Sequence, residues 1–494
     1  MDVQHLSGLT VYPRSVAELN GTTYFLARAN EGKRLGILGD AAGFEGTRHD
    51  QSGALLCPLT PDNAAALRAR LRWLRPVPLS LQTSAGLGDR LGLATPGHVQ
   101  AVRGTLRPGS GQALRPGSGK ASIAPIFAQQ SVRENARTGR TPQQVMDDAT
   151  WGVFQEGWRE PWGADADHLK TPSDVDAFVA AGYTFYTIDP GDHVDNSAHT
   201  APPAEVEAKG QVLPWDALQD TARDMERRYL GRSFDLEDTA LTFDRETLWR
   251  AAAKYGQAIA HTVHMYRHLV SRTGDEAFEL EVSVDETETP TSPAEHFFVA
   301  SELRRLGVSW VSLAPRFVGR FEKGVDYIGD LETFSTAFAR HVAVARTVGP
   351  YKLSLHSGSD KFSIYPVVAR LTEGLVHLKT AGTSYLEALR AVAQVAPALF
   401  REMLAFARVR YDTDRATYHV SAQLANVPLQ QALSDADLPG LLEQFDARQV
   451  LHVTFGSVLD RFGERLLATL REYEKVYYDM LDVHFRRHLA SFAG

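Results

Sequence analysis

The feature that most constrains this chain is a rhythm that begins at Pro76. From there, short runs with the period-two pattern of strands alternate with longer stretches of helical periodicity. Pro78–Thr83 (PLSLQT), Ile123–Gln129 (IAPIFAQ), Tyr183–Asp189 (YTFYTID), Phe278–Asp285 (FELEVSVD), Ser309–Ala314 (SWVSLA), Tyr351–His356 (YKLSLH), Leu375–Thr380 (LVHLKT) and Leu451–Phe455 (LHVTF) read as eight strands. Helical stretches fill the gaps, among them Thr141–Trp158 and Glu246–Ser271. Ser292-Pro293-Ala294-Glu295 is a capping-box start with proline in the first turn. Eight strands alternating with helices predict an α/β fold, a TIM-like (β/α)8 barrel with loop insertions.

Residues 1–75 stand apart as an N-terminal segment. Thr22–Ala27 (TTYFLA) and Arg34–Leu38 (RLGIL) read as strands joined by the turn Asn30-Glu31-Gly32, and Ala64–Leu74 reads as a helix. This β-containing segment is expected to cap one end of a catalytic domain spanning 76–494. Within that domain, Leu106–Ala121 repeats an eight-residue LRPGSG unit and reads as a Gly/Ser/Pro loop. Pro190–Pro214 is a long loop on the C-terminal side of a strand, in the place of a substrate cover.

The overall charge of −8 argues against nucleic acid or an anionic membrane as partner. It leaves room for a small anionic substrate held by a local Arg or Lys. The single cysteine, Cys57, excludes an intrachain disulfide and a Cys-rich metal site, which fits a reducing compartment. The start MDVQHLSGL has no signal-peptide pattern, and no apolar run approaches a membrane span. A cytoplasmic protein is the expectation, and a homo-oligomer is compatible with this composition.

A barrel's working residues lie at the C-terminal ends of its strands. There the sequence offers Asp189, with Asp192 and His193 just beyond; Glu281, alternating with Glu279, Ser283 and Asp285; His356, before the small polar loop Ser357-Gly358-Ser359-Asp360; His377 and Lys379; and His452. Carboxylates and imidazoles without thiolates suit a divalent ion such as Zn, Mn, Co or Ni. Glu281, His356, His452 and Asp189 are the expected ligands, whereas Glu279 and Asp285 read as a structural ladder. Lys379 can serve as a Schiff-base nucleophile, a proton donor or an anion binder. Asp89-Arg90, in GLGDRLGLATPG, and Arg316 are candidates for holding a substrate carboxylate. His261, His264 and His268 share a helix face outside the barrel and read as packing. No phosphate-binding loop, dinucleotide fingerprint or serine-nucleophile elbow is present in a convincing context.

GLGDRLGLATPGH (Gly86–His98), FYTIDPGDHVD (Phe185–Asp195), LSLHSGSDKFSIYP (Leu353–Pro366) and HLKTAGTSYLEALR (His377–Arg390) together resemble the tagaturonate/fructuronate epimerases. The resemblance runs from about Gly86 to the C-terminus. It implies a metal-dependent isomerase that inverts C4 of a ketohexuronate, a small sugar acid. Asp189, Asp192, His193, His356 and Lys379 fall within the matching blocks, whereas Glu281 and His452 rest on the strand pattern. The C4 hydrogen is not acidic, so inversion requires either retro-aldol cleavage of C3–C4 or transient oxidation at C4. In the first route Asp189 and Lys379 are the candidate acid and base. Other readings are a Schiff-base aldolase using Lys379, a glycosidase using Glu281 with a partner, and a non-catalytic barrel that binds a sugar acid.

Overall fold

The computed structural model describes residues 6, 8–30, 32–105, 123–237 and 239–493. The duplicated LRPGSG stretch lies outside them. Eight strands form a closed parallel barrel: β1 (Ser84–Gly86), β2 (Ala124–Ser131), β3 (Gly163–Leu169), β4 (Phe185–Ile188), β5 (Glu279–Val284), β6 (Ser312–Pro315), β7 (Lys352–Leu355) and β8 (Val376–Lys379). They follow one another round the ring in chain order, and β8 pairs with β1 to close it. Outward residues such as Leu280, Val282, Leu353 and Leu355 pack beneath the surrounding helices. Inward residues are largely polar and share layers: Thr187, Glu281, Ser312 and Lys352 lie in one register across β4 to β7.

Two strand assignments change. Pro78–Thr83 is not a barrel strand; β1 begins at Ser84. The Val77 amide donates to the Trp162 carbonyl, 2.9 Å, and Leu79 packs with Ala124 and Ile126. This segment therefore plugs the N-terminal end of the barrel. Leu451–Phe455 is helical, lying at the junction of helices Phe445–Val453 and Phe455–Glu472. Its Leu451 and Val453 belong to a helix buried from Asp446 onward, where any period places an apolar residue inside, and Phe455 opens the next helix. The missing strand is β3, GADADHL. Its Gly, Ala and Asp residues are poor strand formers in isolation and are accepted here because both faces are buried.

The N-terminal sheet has six strands, including Thr22–Ala29 and Gly32–Leu38, and is followed by helix Pro61–Arg70. It packs against helices that surround the barrel. Lys33 Nζ lies 2.6 Å from Gln155 Oε1 on helix Pro142–Glu156 and 2.9 Å from Glu474 on the helix Glu474–Leu489. The loop after β4 also departs from expectation. Its helix Pro203–Gln211 docks on the long helix Arg245–Thr273, where Arg250 holds the carbonyls of Ala198 and Ala201. Among the described residues no helix is long and apolar enough to cross a membrane.

Candidate active site

At the C-terminal ends of the strands a cavity is lined by Asp167 and His168 of β3, His356 and Ser357 after β7, Lys379 of β8, and Arg90, Ser131 and Glu134. Arg133, Lys323 and Tyr418 complete the wall. Asp167 and His168 are consecutive, yet both reach the cavity. The pairing of β3 with β4 slips there: Tyr186 faces Ala166 and Ile188 faces Leu169, so β3 carries one extra residue. His168 takes up the slack with a left-handed backbone, φ 55°. A bulge of this kind re-aims a side chain at the cost of local strain.

Lys379 is the electrostatic hub. Its ammonium lies 3.0 Å from Asp165, 2.6 Å from Asp167 and 2.8 Å from Glu281, and donates to Thr187 Oγ1 at 2.6 Å. Burial alone would lower the Lys379 pKa, but the three carboxylates raise it well above the ordinary lysine value. Ser312 Oγ donates to the other Glu281 oxygen, 2.6 Å.

The two imidazoles meet edge to face, ring centres 4.9 Å apart. His168 Nδ1 bonds Asp189 at 3.1 Å, which fixes the ring. His356 bonds Glu281 through Nε2 at 2.6 Å and lies 3.1 Å from Asp285 through Nδ1. Burial opposes a charge on either ring. The surrounding carboxylates win: Asp167 and Asp189 raise His168 to about 10, and Asp285 and Glu281 raise His356 to about 9 against Lys379. The same contacts hold Asp189 below the usual carboxylate range, although its burial pushes the other way.

This donor set fits a divalent cation. Asp167, His168 and His356 each place one ligand atom within 4.8 Å of the others. Asp165, Asp167, Asp189, Glu281 and Asp285 surround two imidazoles and one ammonium, so the centre favours positive charge. A metal ion replacing the imidazole protons would meet the same carboxylates.

The structure brings Glu281, His356, Lys379 and Asp189 into one network. Asp189 lies behind His168 and does not line the cavity. His452 is the clear correction: it sits on helix Phe445–Val453, not on a barrel strand. It packs beside Gly324 and Gly382, and burial drives its pKa far down. Asp89 spends its carboxylate on the amides of Leu91, Gly92 and Ala94, so it shapes the loop. Arg90 lines the cavity but is paired with Glu134 and stacked on Phe455. Arg316 donates to the Thr287 carbonyl, away from the cavity lining. Asp192 is exposed and pairs with Lys170, and His193 stacks on His261; neither lines the cavity. Sequence reasoning missed Asp165, Asp167 and His168. The alternation of Ala164 and Ala166 with Asp165 and Asp167 was the available signal.

A closed parallel barrel with a buried carboxylate–imidazole–lysine centre at its C-terminal mouth defines the class: a (β/α)8-barrel protein with a charged site at the ends of its strands. Within that class, the tagaturonate epimerase family model matches residues 12–492, and the chain belongs to that family. The tagaturonate/fructuronate epimerase of Thermotoga maritima is 44% identical over 494 residues, covering 99% of this chain and 98% of that protein. The native crystal structure of fructuronate-tagaturonate epimerase UxaE from Cohnella laeviribosi superposes with a TM-score of 0.90 at 39% identity, covering 98% of this chain and 97% of that one. A glycerol complex of the same enzyme gives 0.90 at 40%, covering 98% and 96%.

Proposed function

We propose that this chain interconverts D-tagaturonate and D-fructuronate by inverting C4, using a divalent ion held by Asp167, His168 and His356. Full-length similarity to enzymes named for that reaction supports the substrate. The observation that carries the chemistry is the centre itself, in which Lys379 is an ammonium ringed by three carboxylates beside two imidazoles on one cavity.

When bound, the ion supplies Lewis acidity toward the C2 ketone. The residues do the rest. Retro-aldol cleavage removes the proton from the C4 hydroxyl, and the C3–C4 electron pair moves toward the C2 oxygen. An enediolate of C1–C3 and an aldehyde of C4–C6 result. Lys379 Nζ donates to the oxygen that gains charge, and its carboxylate neighbours relay the proton released at C4. The aldehyde presents its other face, the C3–C4 bond reforms, and the carboxylates return the one proton to the C4 oxygen. Asp189 orients His168 through Nδ1. The charged state of Lys379 argues against a Schiff-base nucleophile, which needs a neutral amine.

The test is incubation of the purified chain with D-tagaturonate and chromatography of the products. D-Fructuronate must form, and its absence with every divalent ion supplied contradicts the reading. Deuterium at C4 separates the two routes. Retro-aldol cleavage gives a kinetic isotope effect near unity and a trappable three-carbon aldehyde, whereas a large primary effect favours oxidation at C4.

A further inference from the structure

Among the described residues, the cavity holds one cation with no direct ion-pair partner, although the carboxylates of Glu134, Glu286 and Asp285 act on it from a distance. Arg90 is neutralised by Glu134, and Lys379 by its three carboxylates. Arg133 reaches Glu286 at 3.2 Å on the half-exposed rim. Lys323 lines the same cavity yet forms no hydrogen bond or ion pair among the described residues.

Its backbone, by contrast, is pinned on both sides. The buried carboxylate of Glu322 accepts from Ser421 Oγ at 2.7 Å and Gln449 Nε2 at 2.8 Å. Arg448 Nε donates to the Gly324 carbonyl at 2.5 Å. Lys361, itself fully buried, donates to the carbonyls of Glu322 and Val325 at 2.8 and 2.5 Å. Gly324 turns with φ 75°. Seven residues of chain, Ser357–Ser363, thus tie the Lys323 loop to the loop that follows His356. Such anchoring around one unpaired ammonium is what a preorganised anion site requires. Burial and the nearby Arg133 guanidinium lower the Lys323 pKa against the opposing pull of Glu134, Glu286 and Asp285, and an incoming anion would add to that pull.

We propose that Lys323 is the specificity residue that distinguishes a ketohexuronate from a neutral ketohexose, its ammonium receiving the C6 carboxylate with Arg133 beside it. The inference rests on the uronate reading above. It replaces Arg316 and Arg90 as the carboxylate holder, since both are occupied elsewhere.

The test compares wild type with Lys323→Gln and Lys323→Arg, all checked by thermal melting. Substrates are D-tagaturonate for kcat/KM, and D-tagaturonate and D-tagatose for Kd by calorimetry. A charge-assisted bond to the carboxylate predicts a roughly 10- to 100-fold loss on the uronate with Lys323→Gln, mostly in KM. The loss of D-tagatose affinity should be smaller, so the preference ratio falls, and Lys323→Arg should recover part of it. Unchanged uronate affinity, or equal losses for both sugars, overturns the proposal. If wild type binds D-tagaturonate without epimerising it, the function reading fails. The subsite then stands or falls on whether Lys323→Gln weakens that binding. No binding to wild type overturns both.

Discussion

Among the described residues, two groupings of one aspartate and two histidines occur, and they are built for opposite ends. Asp167, His168 and His356 line the cavity, and Asp360, His484 and His488 lie buried where the C-terminal helix meets the loop after β7. Both sets bring their ligand atoms within 4.8 Å. In the second, all three side chains are tied to their neighbours. Asp360 meets His484 Nε2 at 2.8 Å and Arg448 at 3.0 Å. His488 Nε2 accepts the Asp360 amide at 2.9 Å, and its Nδ1 donates to the His484 carbonyl at 3.1 Å. That network is a tether. In the first, the carboxylates stabilise added positive charge and the side chains line a small cavity. Residue type alone does not separate a site from a strut; the surrounding partners do.

The largest expected effect is at the mouth. His168→Ala or His356→Ala should reduce kcat by roughly 10³-fold or more, about 4 kcal/mol of barrier, while thermal melting changes little. Near-normal turnover in either variant breaks the contrast. Asp360→Asn should behave the other way, losing about 3–5 kcal/mol in denaturant unfolding because it uncovers the buried Arg448 charge. Comparable stability to wild type would show that the tether contributes nothing.

The buried tether also sets a pH dependence of stability. Burial, with the His484 imidazole next to it, depresses the His488 pKa to about 3 in the folded chain, against about 6.5 for the unfolded histidine. Between those values the unfolded chain binds the extra proton, so stability rises with pH and falls on acidification from about 6.5 toward 3. Each such proton contributes a slope of about 1.4 kcal/mol per pH unit. Urea titrations at stepped pH should show this slope in wild type and a flatter one in His488→Gln. Identical slopes would contradict the neutral, Nδ1-protonated state of His488.

Asp189→Asn is the mildest of the set. Asp189 acts through His168, so metal affinity should drop roughly 10- to 100-fold while melting is preserved. A variant with unaltered metal affinity and activity would make Asp189 a packing residue.

Much of the barrel was legible. ELEVSV, KLSL and VHLK alternate cleanly because a parallel strand with one face toward a polar interior must, and they delivered Glu281, His356 and Lys379. GADADHL hid β3, because Ala, Gly and Asp gain strand preference only from burial on both sides. Its bulge then placed Asp167 and His168 together, which no two-residue period predicts. LHVTF misled because a helix buried on all faces presents the same apolar run as a strand, and His452 went with it. Lys323 lies in an irregular loop, and only three-dimensional accounting of partners singles it out.

Divalent-metal content and tagaturonate turnover should be measured together on wild type and His356→Ala, before and after chelation. A stoichiometric divalent ion in wild type is predicted, lost with activity on chelation, restored with it on metal add-back, and missing from the variant. Full turnover by metal-free wild type would contradict the account.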